Sequence, residues 1–253
     1  MLFLTRTFLL SFASLWFFTA YSVAAPVVLF DESHGQQFLV GKSGPLDLSE
    51  LATLYQKNGF VVASHSGPLT KEILSTADVL VLSGPFMPLT KSELGAVIDF
   101  VDAGGGLAVM LHIAPPVRDL LHRLEVDFTN GTLREMNQVI DGNHLNFKVT
   151  VLADHPITKG LQSFSIYGSW ALRGTAPQAS ILAETSPHGW VDLNRDNQLS
   201  DVDAIQSFGV MVAGESGQGR YVVLGDDAIF QNRFLDEANR KLALQLVDWL
   251  ASQ

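Results

Sequence analysis

In the first half of the chain, short runs of uniformly apolar residues alternate with stretches in which apolar residues recur every three or four positions. Val27 to Phe30, Phe60 to Ala63, Val79 to Leu82 and Leu107 to Leu111 are such runs, and three of them end in a polar or glycine-containing turn. A strand with no polar side is covered on both faces. Between them, Leu48, Leu51, Leu54 and Tyr55 lie at helical spacing within Asp47 to Lys57. Asp47 and Glu50 are placed as a capping-box-like start, and Gly59 as a stop. Thr90-Lys91-Ser92-Glu93 forms a second capping box ahead of a helical face of Leu94, Val97, Ile98 and Val101, which ends at Gly104-Gly105-Gly106. Strands and helices alternating over short connections predict an α/β fold, an open, flavodoxin-like, mainly parallel sheet with helices on both faces. The second half is β-rich, with extended segments at Phe147 to Leu152, Phe164 to Leu172, Ser180 to Ala183, Phe208 to Ala213 and Arg220 to Leu224. A last helix, Leu235 to Leu250, presents Leu242, Leu246 and Trp249 to the sheet.

The leading residues change the picture. Arg6 is the one charged side chain before Asp31, Phe8 to Ala20 is apolar, and Ser22-Val23-Ala24 offers small residues to a signal peptidase. Residues 1–24 therefore read as a signal peptide and residues 25–253 as a single mature α/β domain, exported to the periplasm or beyond the cell. The apolar run falls short of the ~20 residues that span a bilayer comfortably, so no stable membrane insertion is expected after cleavage. The formal charge of -10 without basic clusters argues against nucleic acid as a partner. The absence of cysteine rules out both a disulfide framework and a lipid-anchored cysteine.

Asp192-Leu193-Asn194-Arg195-Asp196-Asn197-Gln198-Leu199-Ser200-Asp201-Val202-Asp203 has the spacing of an EF-hand calcium loop. Asp192, Asn194 and Asp196 occupy positions one, three and five. Gln198 would offer its backbone carbonyl, Ser200 a hydroxyl or a bridged water, and Asp203 the closing carboxylate. Asn197 replaces the usual glycine at position six, where it tolerates a left-handed backbone better than most residues. Asp203 is shorter than the usual glutamate, a choice that resembles dockerin-type loops. The expected cofactor is calcium, acting as a structural clip.

Several segments in order carry a wider resemblance: Phe30-Asp31-Glu32-Ser33-His34-Gly35, Asp78 to Val81 leading to Gly84-Pro85, Gly104 to Leu107, Asp154 to Leu161 and Gly219 to Asp226. Together they resemble the class I glutamine amidotransferase-like superfamily. The nearest branches are a bacterial domain family of unknown function and the related domain of gliding-motility and intraflagellar-transport proteins. His155-Pro156-Ile157-Thr158-Lys159-Gly160-Leu161 is also similar to trehalose-utilisation (ThuA-like) proteins. The resemblance implies a flavodoxin-like fold with a binding or scaffolding role more often than catalysis. Amidotransferases place a cysteine nucleophile after the strand that corresponds to Leu107–Leu111, and here His112 follows it. Without cysteine, thiolate catalysis is impossible. No Gly-x-Ser-x-Gly elbow and no nucleotide-binding P-loop occurs either.

Open α/β sheets bind ligands at the carboxyl ends of their parallel strands. Asp31, Glu32 and His34 follow the first strand, His112 the fourth, and Asp226, Asp227 and Asn232 a late one. They are the candidate ligand-binding residues, with hydrogen bonding to loop backbone as the alternative for Asp31 and His34 and turn capping for Asp226. The resulting expectation is an exported, non-catalytic domain that binds a small molecule or an envelope protein. Metal-assisted hydrolysis of a sugar or amide, and a subunit role in an envelope transport or motility assembly, remain the alternatives.

Overall fold

A computed structural model describes residues 24–112 and 114–252; the signal-peptide segment lies outside the described residues apart from Ala24. The elements run β1 (Val27–Asp31), α1 (Ser49–Lys57), β2 (Val61–His65), α2 (Lys71–Leu74), β3 (Val79–Ser83), α3 (Lys91–Asp102), β4 (Gly106–Met110) and α4 (Arg118–Arg123). The strand-rich part follows: β5 (Val126–Glu135), β6 (Val139–Ile140), β7 (Asn143–Val149), β8 (Val151–Leu152), β9 (Phe164–Tyr167), β10 (Ser169–Gly174) and β11 (Ser180–Glu184). It continues with β12 (Gly189–Asp192), β13 (Ala204–Ile205), β14 (Gly209–Ser216) and β15 (Gly219–Leu224), and the described chain closes with α5 (Glu237–Ala251).

Twelve strands form one sheet in the order β13-β12-β5-β10-β14-β15-β4-β3-β1-β2, with β11 joined to β14 and β8 to β11. The run β2-β1-β3-β4-β15 is parallel throughout. It has the doubly wound order of a flavodoxin-like sheet. The remaining pairings are antiparallel, so the sheet is mostly antiparallel by pairing and the expectation of a mainly parallel one is corrected. The physical reason is that parallel neighbours need crossover connections, usually helices, and among the described residues no helix lies between β5 and β15. A second sheet, β6-β7-β9, has three strands.

Side-chain alternation sends each apolar strand to two cores, as period two requires. Val28, Phe30, Val79, Val81, Ala108 and Met110 pack with Leu51 and Tyr55 of α1 and Leu242, Leu246 and Leu250 of α5. Leu29, Leu80, Leu82, Leu107 and Val109 face the opposite side, against Leu74 of α2, Val97 and Val101 of α3, and Leu120 and Leu121 of α4. Each fully buried Leu, Val or Phe among them stabilises the fold by about 1.5–3 kcal/mol before chain entropy is counted. The Thr90–Glu93 capping box forms in full. The α1 start does not: Leu48 is its N-cap, and the Asp47 carboxylate accepts from Leu39 N–H and Gly44 N–H instead. Among the described residues, no helix is long and apolar enough to cross a membrane.

Candidate functional site

β1 ends at Asp31, and the chain then turns so that His34 folds back over it. His34 Nδ1 lies 2.7 Å from Asp31 Oδ2, and its Nε2 lies 3.5 Å from Glu93 Oε1 in the first turn of α3. Asp31 also accepts from the Ser33 backbone and hydroxyl and from the Gln36 amide. Apart from Ser33 these side chains are buried, with His34 only 4 % exposed. Glu32 accepts from Val40 N–H. Asn232 accepts from Glu50 N–H and donates to Gly44 O, which ties the segment after β15 to the start of α1. The structure thus commits Asp31, Glu32, His34 and Asn232 to internal hydrogen bonds.

The other three candidates come together. His112 follows β4, and Asp226 and Asp227 follow β15, its parallel neighbour, so the three emerge side by side at the carboxyl edge. They line a cavity of about 280 Å³ with Phe38, Leu145, Tyr167, Trp170 and Gln231. His112 Nδ1 lies 3.0 Å from Asp227 Oδ1. Phe86 and Phe38 pack on the His112 ring, at 5.0 and 5.7 Å between centroids, and Trp170 Nε1 donates to the His112 carbonyl. The other Asp227 oxygen, Oδ2, is buried without a hydrogen-bond partner. It sits against Gly84, where a Cβ would lie 2.3 Å away and where φ is +57°. Only glycine satisfies both the backbone and the carboxylate at that turn.

The hydrogen bond to Asp227 raises the His112 pKa against the opposing effect of burial. Burial and then the neighbouring Asp227 push the Asp226 carboxyl up to about 8, against the pull of N–H donors from Tyr167 and Ala228. The sequence alternative of a turn cap at Asp226 therefore holds alongside its place in the cavity. A carboxyl whose folded pKa lies above its unfolded value binds its proton more tightly in the folded state, so stability falls as pH rises between the two values. The melting temperature is thus expected to decline from the ordinary carboxylate range up to about pH 8. In Asp226→Asn this part of the decline should vanish; an identical slope in wild type and variant would remove Asp226 as its source.

Two larger depressions, of about 310 and 390 Å³, lie around Lys71 and Asp99 and around Asp127 and Arg173. Both of those ion pairs are exposed, and the lining of neither depression carries a buried titratable side chain, so the smaller cavity is the better candidate. Sequence reasoning missed Tyr167, Phe38 and Glu93. The one available signal was Glu93, whose capping-box role places it at the edge where β3 ends.

The calcium-like segment connects β12 and β13, which pair antiparallel through Trp190 with Ile205 and Val191 with Ala204. It is therefore a hairpin excursion at one edge of the large sheet, apart from the cavity. Among the described residues, no three His, Asp or Glu side chains are gathered closely enough to hold a metal ion.

A family described as a domain of unknown function, DUF4350, matches residues 42–247. Among solved structures, the mmIFT52 N-terminal domain is similar with a TM-score of 0.70 at 18% identity, over 89% of this chain and 98% of that one. A cytoplasmic protein from Salmonella typhimurium gives a TM-score of 0.58 at 14% identity, over 88% of this chain and 98% of that one. A putative ThuA-like protein from Bacteroides uniformis gives 0.53 at 18% identity, over 92% and 95%. At these identities the likeness is one of fold. Among curated proteins, none matches significantly.

Proposed function

The chain belongs to the DUF4350 family, and we propose that it binds a small neutral, hydroxylated molecule, a sugar or polyol, in the cleft of His112, Asp226 and Asp227 without turning it over. The observation that carries this reading is the His112–Asp227 pair set in an aromatic-lined cavity. With Nδ1 held by Asp227, His112 keeps Nε2 for a ligand, and its raised pKa favours the protonated form, a donor at both nitrogens. An Asp226 that stays protonated below about pH 8 withholds one negative charge from the cleft, which suits a neutral ligand better than a cation. Phe38, Tyr167 and Trp170 supply apolar faces of the kind that pack on a sugar ring. The resemblance to amidotransferases supports a degenerate form of that fold, with His112 standing where those enzymes carry their nucleophile. The leader-like residues 1–24 support export, with residues 25–253 acting as one domain outside the cytoplasm.

Calorimetric titration with trehalose and glucose, beside glutamine and a dicarboxylate, tests this. A saturable heat is expected with a neutral sugar. His112→Ala should weaken it about 10- to 100-fold, because a hydrogen bond from a charged donor contributes roughly 1.5–3 kcal/mol. Binding that survives the substitution unchanged would sink the assignment, as would silence with every sugar. One observation favours hydrolysis as a second reading: Asp227 orients His112 as a carboxylate orients a general base. Release of product from a bound sugar glycoside, abolished in Asp227→Asn, would establish that reading over simple binding.

A further inference from the structure

Asp192 is the last residue of β12 and is 2% exposed, whereas residues 193–199 that follow it are exposed. Its carboxylate is turned into the hairpin excursion. Oδ2 accepts the N–H of Asn197, the sixth residue of the segment, at 3.0 Å. Asn197 holds φ at +64°, the left-handed conformation for which such loops use glycine. The Arg134 guanidinium lies 3.5 Å from that same oxygen and donates to the Asn197 side chain. Oδ1 is different: it is buried and has no hydrogen-bond partner. A buried carboxyl oxygen out of water needs either a donor or a cation. The geometry points to a calcium-binding site at residues 192–203, anchored by Asp192 Oδ1.

The remaining donors follow in the order that hard, oxygen-loving cations require: Asn194 and Asp196 side chains, the Gln198 carbonyl, Ser200 and Asp203. Their current bonds are local. Asn194 Nδ2 donates to Asp196 Oδ2 at 2.9 Å, and Asp203 accepts from Leu193 N–H, Ser200 N–H and the Ser200 hydroxyl. These carboxylates are not gathered on Asp192, so capture requires Asn194, Asp196 and Asp203 to swing onto it. Apart from the partly exposed Asp203, those groups are at the surface, where a rotamer change disturbs no packing. A preformed anchor with mobile partners, beside a competing guanidinium, predicts weak binding, with Kd of roughly 10⁻⁴–10⁻³ M. Seven or so flexible oxygen ligands also favour calcium over the smaller, octahedral magnesium.

Terbium luminescence reads this site directly, because Trp190 lies two residues before Asp192 and can sensitise a bound lanthanide. The full chain should show terbium emission that calcium displaces at about millimolar concentration and magnesium does not. It should also melt at a higher temperature in calcium than in EDTA. Asp192→Asn should lose the emission and the calcium shift. Should that variant fail to fold, Asp196→Asn, whose side chain is exposed, decides instead, with an expected loss of about tenfold or more in affinity. The proposal is overturned if wild-type protein shows no calcium-specific shift or emission up to about 10 mM, well above the expected Kd. It is equally overturned if Asp196→Asn, folded, binds like wild type. Neither readout depends on the sugar cleft.

Discussion

Replacing His34 by alanine is expected to lower stability by roughly 3–5 kcal/mol, the range for removing one partner from a buried ionic network. At about 2–4 °C per kcal/mol for a chain of this size, the melting temperature should fall by roughly 6–20 °C. The imidazole stands between two carboxylates, Asp31 at 2.7 Å and Glu93 at 3.5 Å, and its loss removes a partner from both. Asp31 keeps donors from Ser33 and Gln36, and Glu93 keeps Thr90 and Leu69, which argues for the lower part of that range. The effect should reach the cleft, because the His34 carbonyl accepts from Phe86 and Met87 N–H and Phe86 packs on His112.

The same network sets a pH dependence. Burial lowers the His34 pKa, but hydrogen bonding and charge from Asp31, with Glu93 behind them, outweigh it and the net shift is upward. A histidine raised in the folded state gives its full stabilisation below the unfolded value of about 6.5 and loses it as pH rises through the folded value. Wild-type stability should therefore drop across that window, and His34→Ala should lack the drop. A variant that melts within about 2 °C of wild type, less than 1 kcal/mol on the same scale, would show that the network contributes little.

The parallel half of the sheet was legible because its chemistry is local. Val79 to Leu82 and Leu107 to Leu111 have no polar face, and strands of that kind have few places to go. The convergence of His112, Asp226 and Asp227 was legible for the same reason, since residues directly after neighbouring parallel strands emerge together at the carboxyl edge. The antiparallel half hid itself in its glycines. β5, the longest strand, contains Asn130-Gly131, which reads as a turn. Gly131 is there because a Cβ would lie 2.3 Å from Asp192 O on the adjacent strand, a packing requirement that no local pattern expresses. Gly168, at φ +103°, splits the expected Phe164–Leu172 strand into β9 and β10, which join different sheets. For Asp31 and His34 the sequence offered both a ligand role and hydrogen bonding to the loop, and it could not reveal that Glu93, far along the chain, closes their network.

Asn239 is the second position where a large effect is expected, and it carried a signal that periodicity makes readable afterwards. It lies on the same face of α5 as Leu242, Leu246 and Leu250, a polar residue among the buried ones, and is 0 % exposed. Its Oδ1 accepts from Ser165 N–H, and its Nδ2 is directed at the carbonyls of Ser165, Ile229 and Phe234. One side chain thus joins β9, the short 3₁₀ turns Ala228–Phe230 and Asn232–Phe234, and the start of α5. Alanine would leave several of these groups unpaired, each at roughly 1–3 kcal/mol. The total should exceed the ~0.5–3 kcal/mol of an ordinary substitution and lower the melting temperature by about 6 °C or more. Because the tethered segment begins at Asp226 and Asp227, affinity for the sugar proposed as ligand should fall together with stability. Asn239→Asp tests the donor side alone, since it keeps the acceptor for Ser165 N–H but places a carboxylate against three carbonyls. That variant should be at least as destabilised as alanine. If instead it melts like wild type, the carbonyl contacts of Asn239 are not what holds the cleft segment to α5.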